Sequence, residues 1–230
     1  MIKELKVEKI DKDFLNKTKY ILDECKIDFK DILVNKPWGH EYLLYENQYC
    51  AVWVLYIKYM ENTSMHCHIN KNTSLICLDG LVSSNTLSFN NILNPFDALI
   101  LEKGLFHQTN SIDKNGSYVL EIETPVNKFD LVRINDSYGR RGKDYEDIKF
   151  YENRDNLTLN NETNSFKYIN DVFLQIIIYK CDNFNKDNFK ENSLVSVLSK
   201  NELMGKVIYL ENLNLDFLEE NSILLIISKK

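Results

Sequence analysis

Residues 65–80 read MHCHINKNTSLICLDG and residues 101–110 read LEKGLFHQTN; together they hold three of the four histidines in the chain, His66, His68 and His107. Successive side chains of an extended strand alternate between its faces. His66 and His68, two apart, therefore point the same way, as neighbouring ligands of one ion must. His107 follows Gly104 after a turn and completes the cluster from an adjacent strand. A single histidine is usually an ordinary core or surface residue, but three gathered in two short segments indicate a metal site. Three neutral imidazoles suit one divalent transition metal, whether zinc, iron, nickel or manganese, with positions left open for water or substrate.

Around these segments the chain has the texture of short strands. Runs rich in Val, Ile, Leu, Tyr and Phe at 41–45, 50–59, 66–69, 74–79, 87–92, 98–102, 106–110 and 118–123 alternate with Asn, Asp, Gly and Ser clusters. Strands of this length and spacing predict an all-β, closed antiparallel barrel or jelly roll over residues 36–126. Upstream, Phe14, Leu15, Ile21, Leu22, Cys25, Phe29, Ile32 and Leu33 recur every three or four residues, which predicts a helix over 13–34 within an N-terminal segment 1–35. Lys36-Pro-Trp-Gly ends it, since proline fixes its own backbone and biases the preceding residue toward extended geometry. Downstream, the polar stretch 127–165 reads as a connector that wraps the barrel. Residues 166–230 form a second β-rich block without histidine, with strands at 172–179, 193–198, 206–210 and 222–228.

Composition narrows the partners. The 230 residues are 44% hydrophobic and 12% aromatic, enough for one full core and a smaller second one, and the net charge is -6. Nothing in the chain concentrates basic charge as a phosphate backbone requires, so nucleic acid is not an expected partner. The sequence has no apolar run of membrane-spanning length, and its charged N-terminus is unlike a secretory signal, which predicts a cytoplasmic protein that does not engage a membrane. Five cysteines, without CxxC spacing, read as reduced thiols.

The two histidine segments resemble the two motifs of the cupin superfamily. The first motif runs HxH, three or four residues, Glu, six residues, Gly; the second runs PxG, two residues, His, then Asn. His66, His68, Gly80, Gly104, His107 and Asn110 match, while Thr73 stands at the usual glutamate position and Glu102 at the proline. The resemblance implies a double-stranded β-helix, with the 166–230 block as a degenerate cupin-like half that completes the core or a subunit interface, and a homodimer. Glu121 and Glu123, on the last predicted strand, are candidates for the missing anionic charge if they face inward.

Lys36-Pro-Trp-Gly, Leu120-Glu-Ile-Glu and the segment from Asp130 to Arg140, DLVRINDSYGR, are further similar to the cupin domain of bifunctional mannose-6-phosphate isomerase and mannose-1-phosphate guanylyltransferase. This second resemblance spans residues 36–141. It implies an isomerase- or epimerase-like enzyme acting on a small sugar phosphate or nucleotide-linked sugar in surface polysaccharide synthesis. Such chemistry needs a Lewis acid at the carbonyl, a base that shuttles a proton between adjacent carbons, and a cationic clamp. The histidines would hold the first and Glu121 or Glu123 would be the base. Lys103, Arg133, Arg140 or Arg141 would supply the clamp, and His40 is a candidate at the barrel mouth. The other functions open to this sequence are a three-histidine iron dioxygenase and a non-catalytic sugar-binding cupin.

Overall fold

The computed structural model describes residues 1–18, 27–135, 137, 148–160 and 165–230. In chain order its elements begin with β1 (Ile2–Leu5), α1 (Lys9–Lys17), β2 (Ile32–Lys36), β3 (Gly39–Glu46), β4 (Ala51–Ile57), β5 (Met65–Cys67) and β6 (Asn72–Asp79). There follow β7 (Val82–Thr86), β8 (Asn90–Leu93), β9 (Ala98–Leu101), β10 (His107–Ser111), β11 (Ser117–Thr124), β12 (Val132–Asn135) and β13 (Tyr151–Asn153). The last five strands are β14 (Ser165–Ile169), β15 (Val172–Ile178), β16 (Leu194–Val197), β17 (Val207–Tyr209) and β18 (Ile223–Lys229).

Two sheets face each other across the barrel. The larger has the order β1-β9-β6-β11-β4-β3-β2-β13, the smaller β12-β5-β10-β7-β8. Alternation along β4 explains its continuous apolar run: Trp53 and Leu55 turn into the barrel, where they meet Leu75, Leu99 and Leu101, while Val52 and Val54 turn outward. The outward face is buried as well, because the third sheet, β14-β15-β18-β16-β17, packs Leu174, Ile176, Leu225 and Ile227 against it. The architecture is an all-β, two-sheet barrel, as the strand texture predicts. The C-terminal block adds one antiparallel sheet that completes the core.

The boundaries differ from the expected ones in instructive places. The helix is shorter and earlier than 13–34: it covers Lys9–Lys17, and the described part of the remainder ends in strand β2, whose β-branched Ile32 and Val34 pair with β3 and β13. Residues 19–26 lie outside the described residues. Helix α1 begins at a capping box in which Asp11 Oδ2 accepts from the Glu8 N–H at 2.9 Å. The other oxygen of buried Asp11 accepts the Phe106 N–H at 3.0 Å, which ties the helix to the residue before His107. Pro37 and Trp38 form the β2–β3 hairpin turn rather than a link between a helix and the barrel. At Gly39 a Cβ would come within 1.9 Å of the Tyr56 carbonyl oxygen, so only glycine lets β3 lie this close to β4.

The stretch 127–165 is more than a wrapping connector: β12 extends the smaller sheet beside β5, and β13 extends the larger one beside β2. The expected 87–92 strand straddles the β7–β8 turn, and β1 and β14 are additional edge strands. Among the described residues no helix is long and apolar enough to cross a membrane.

Candidate metal centre

His66 on β5 and His107 on β10 are direct cross-strand partners in the smaller sheet, so their side chains share a face, with ring centroids 4.4 Å apart. His68 lies just past the end of β5, its ring 5.1 Å from that of His66 and 5.5 Å from that of His107. One ring nitrogen from each of the three lies within 4.8 Å of the others.

The orientation of each ring is set by the backbone. Nδ1 of His66 lies 2.8 Å from the Ser64 carbonyl oxygen, Nδ1 of His68 lies 2.6 Å from that of Asp130, and Nδ1 of His107 lies 3.1 Å from that of Leu105. A carbonyl oxygen can only accept, so each Nδ1 is the protonated nitrogen and donates. The Nε2 lone pair is left for another partner. Nε2 of His68 and of His107 is buried and has no hydrogen-bond partner, a costly arrangement that coordination of a cation would satisfy. Asp130 reinforces it: fully buried, its carboxylate accepts the Ile69 and Asn70 N–H groups at 3.0 and 2.8 Å, which fixes the turn that carries His68.

Beside the histidines stands a carboxylate from a different strand. On β11, Glu121 and Glu123 both turn inward, and Glu121 Oε1 lies 3.7 Å from His68 Nε2. The inward faces of β6 and β11 pair Leu75 with Glu121 and Thr73 with Glu123. The anionic charge absent at Thr73 therefore returns one strand away. Thr73 itself is buried and faces inward as its register predicts, with its hydroxyl unpartnered; it lies across from Glu123 and does not line the histidine cavity.

Burial keeps the imidazoles neutral. It lowers His107, takes His66 well below the ordinary histidine value and pushes His68 down to about 3, with nearby Lys71 adding to the shift at His68. Neutral rings are the form that binds a metal. Further in, Lys71 Nζ meets Glu123 Oε1 at 2.7 Å with both side chains buried, leaving Glu123 Oε2 without a partner. Lys128 bridges Glu41 at 3.2 Å and Glu123 at 4.0 Å, and lies 3.7 Å above the Trp53 ring. Burial works against its charge, yet Glu41 and Glu123 outweigh it and hold the ammonium above the ordinary lysine range. Lys36 approaches Glu41 at 3.5 Å, and Arg133, opposite His66 on β12, donates from Nε to Ser64 Oγ at 3.2 Å.

The histidines, Glu121, Glu123 and Arg133 thus line one cavity of about 60 Å³, with Trp38 against its wall. Other expected site residues lie elsewhere. His40 has the opposite parity to inward Glu41 and stacks on Tyr56 with ring centroids 5.2 Å apart, away from the cavity. Lys103 is exposed and lines a separate groove with Lys6 and Lys206, because its turn at the end of β9 projects from the barrel. Arg140 and Arg141 lie outside the described residues. Sequence reading missed Lys36, Glu41, Lys71 and Lys128. The signal for Glu41 was parity: it follows the Pro-Trp-Gly turn on an otherwise apolar inward face, where an acid demands a buried cation.

No family model matches the chain, and no curated protein matches its sequence. Solved structures do match. KdgF from Halomonas sp. aligns with a TM-score of 0.38 at 13% identity, over 40% of this chain and 84% of that one. A cupin-superfamily sugar phosphate isomerase from Silicibacter pomeroyi gives 0.36 at 11%, over 43% and 62%. An oxalate oxidase in complex with the substrate analogue glycolate gives 0.35 at 13%, over 37% and 46%, so the match spans less than half of that protein's length.

Proposed function

We propose that the protein is a metal-dependent enzyme that interconverts the isomers or epimers of a sugar phosphate or nucleotide-linked sugar, in surface polysaccharide synthesis. One observation carries the reading: three Nε2 lone pairs, fixed by backbone carbonyls, converge beside a carboxylate in a buried cavity that also holds an acid with a free oxygen. His66, His68, His107 and Glu121 would hold the metal, and their nitrogen and oxygen donors fit a divalent transition ion. When bound, such an ion polarises a carbonyl and stabilises the charge that develops on its oxygen.

The remaining steps belong to the chain. Glu123 lines the cavity while Lys71 holds its Oε1 and Oε2 has no partner, and in this reading the carboxylate takes a proton from the carbon next to the carbonyl and returns it to the neighbouring one. Lys71 holds the carboxylate in place. Arg133 and Lys128 supply positive charge for an anionic group of the substrate. Burial excludes bulk water and strengthens each of these interactions. Glu121, with Oε1 3.7 Å from His68 Nε2, weighs against the three-histidine dioxygenase reading by placing a carboxylate beside the cluster.

The test is to incubate metal-loaded protein with mannose 6-phosphate and fructose 6-phosphate in deuterium oxide. Interconversion with deuterium entering at C2, lost in Glu123→Gln, supports the reading. Absence of exchange with hexose phosphates and nucleotide sugars alike, or oxygen uptake in its place, refutes it.

A further inference from the structure

Residues 5–15 grip the turn that carries His107. At its start the Glu102 N–H donates to the Leu5 carbonyl oxygen at 3.1 Å, and Glu102 Oε2 accepts the Val7 N–H at 2.8 Å. In its middle the Gly104 N–H donates to the His68 carbonyl oxygen at 2.7 Å, and a Cβ on Gly104 would meet Leu15 and Val7 at 3.6 Å. At its end Asp11 Oδ1 accepts the Phe106 N–H at 3.0 Å, and Phe14 meets the Phe106 ring edge to face at 6.2 Å.

Asp11 does more than begin α1. Its Oδ2 accepts the Glu8 N–H at 2.9 Å, which serves the helix start, and Oδ1 is spent on the barrel. The residue is 1% exposed, and among the described residues no cation pairs with it. Its charge is therefore offset by two backbone N–H groups, in hydrogen bonds stronger than those of a neutral acceptor. The Phe106 N–H and the Leu105 carbonyl are the two ends of one peptide bond, whose atoms are coplanar and trans. Holding the N–H aims the carbonyl. That carbonyl oxygen accepts His107 Nδ1–H at 3.1 Å, so the order is carboxylate, peptide, imidazole, with the unpartnered Nε2 of His107 at the far end. Hydrogen bonds in such a chain polarise one another, and a stronger acceptor at Nδ1 makes Nε2 a better donor to a metal.

Resting on the metal centre proposed above, we infer that Asp11 is a positioning residue for it, acting on His107 through the Leu105–Phe106 peptide. The carboxylate fixes both the orientation of the ring and the tautomer that leaves Nε2 free. The N-terminal helix is then part of the site.

Nitrogen NMR of the histidine rings in metal-free protein reads the tautomers directly. Wild type is expected to hold His107 as the Nδ1–H form, and Asp11→Ala to give a mixture of tautomers at His107 while His66 keeps its own. Metal affinity, measured by competition with a chelator, is expected to fall about ten-fold in Asp11→Ala. Leu213→Ala, in the outer cluster of the third sheet, lowers stability without touching the turn and is expected to change neither reading. If Asp11→Ala does not fold, Asp11→Asn, of nearly the same shape and without the charge, decides on the same two readings. A wild-type tautomer and wild-type affinity in the Asp11 variant, or equal losses in Leu213→Ala, overturn the inference. Wild type that takes up no metal refutes the proposed function and leaves the tautomers to decide this inference; metal uptake with an unmoved His107 does the reverse.

Discussion

Replacing Lys71 with Met should unmask the cost of the buried charges that frame the site. Lys71 Nζ lies 2.7 Å from Glu123 Oε1, with side-chain exposures of 0% and 2%. Removing one partner from such a pair leaves an uncompensated charge in a low-dielectric interior, at about 3–5 kcal/mol. Lys128, 4.0 Å from the same oxygen, remains, so the lower end applies: about 3 kcal/mol. For a chain of this size that corresponds to roughly 6–12 °C in Tm. Lys71→Met/Glu123→Gln removes both charges and should recover about 2 kcal/mol of the loss, a coupling that a double-mutant cycle isolates. Urea unfolding of the metal-free forms measures all four corners without interference from the nearby ligands. A loss below about 1 kcal/mol in Lys71→Met, or a double variant that simply sums the two single losses, refutes the reasoning.

Three further outcomes follow from the same geometry. Glu121→Gln should retain the fold and weaken metal binding by roughly 100-fold or more, since it removes the anionic donor beside His68; competition with a chelator measures it, and unchanged affinity removes Glu121 from the ligand set. The metal-free protein should lose stability as pH falls below about 6.5, because the buried histidines have folded values below their unfolded ones and the unfolded chain takes up protons first. That loss should continue toward the His68 value of about 3, and unchanged stability between neutral pH and pH 5 contradicts it. Asp130→Ala should cost about 2–4 kcal/mol in thermal or urea unfolding by stranding the Ile69 and Asn70 N–H groups, and should weaken metal binding by loosening His68; wild-type stability counts against that role.

The histidine cluster was legible because ligand spacing obeys strand parity: His66 and His68 share a face whatever the exact strand ends, and the Gly104 turn carries the chain back to bring His107 alongside. The barrel strands were legible for a related reason, since a sheet buried on both faces writes itself as runs such as AVWVLYI in β4. The helix was overread because apolar residues spaced three or four apart continue into Ile32 and Val34, and only the pairing of β2 with β3 reveals that those residues are extended. The relocated carboxylate needed the β6–β11 register, which the sequence does not state; parity placed Glu121 and Glu123 on one face without saying that the face was inward. Lys71 and Lys128 carry no local signal. Their burial depends on acids that come from other strands.

The most direct test of the account is the metal content of protein purified without a histidine tag, measured by elemental analysis after reconstitution with zinc, iron, nickel or manganese. The account predicts about one ion per chain, retained through dialysis by wild type and lost by His68→Ala and His107→Ala while both variants keep their fold. Substoichiometric metal that none of the four ions restores, or retention unaffected by loss of either histidine, would contradict it.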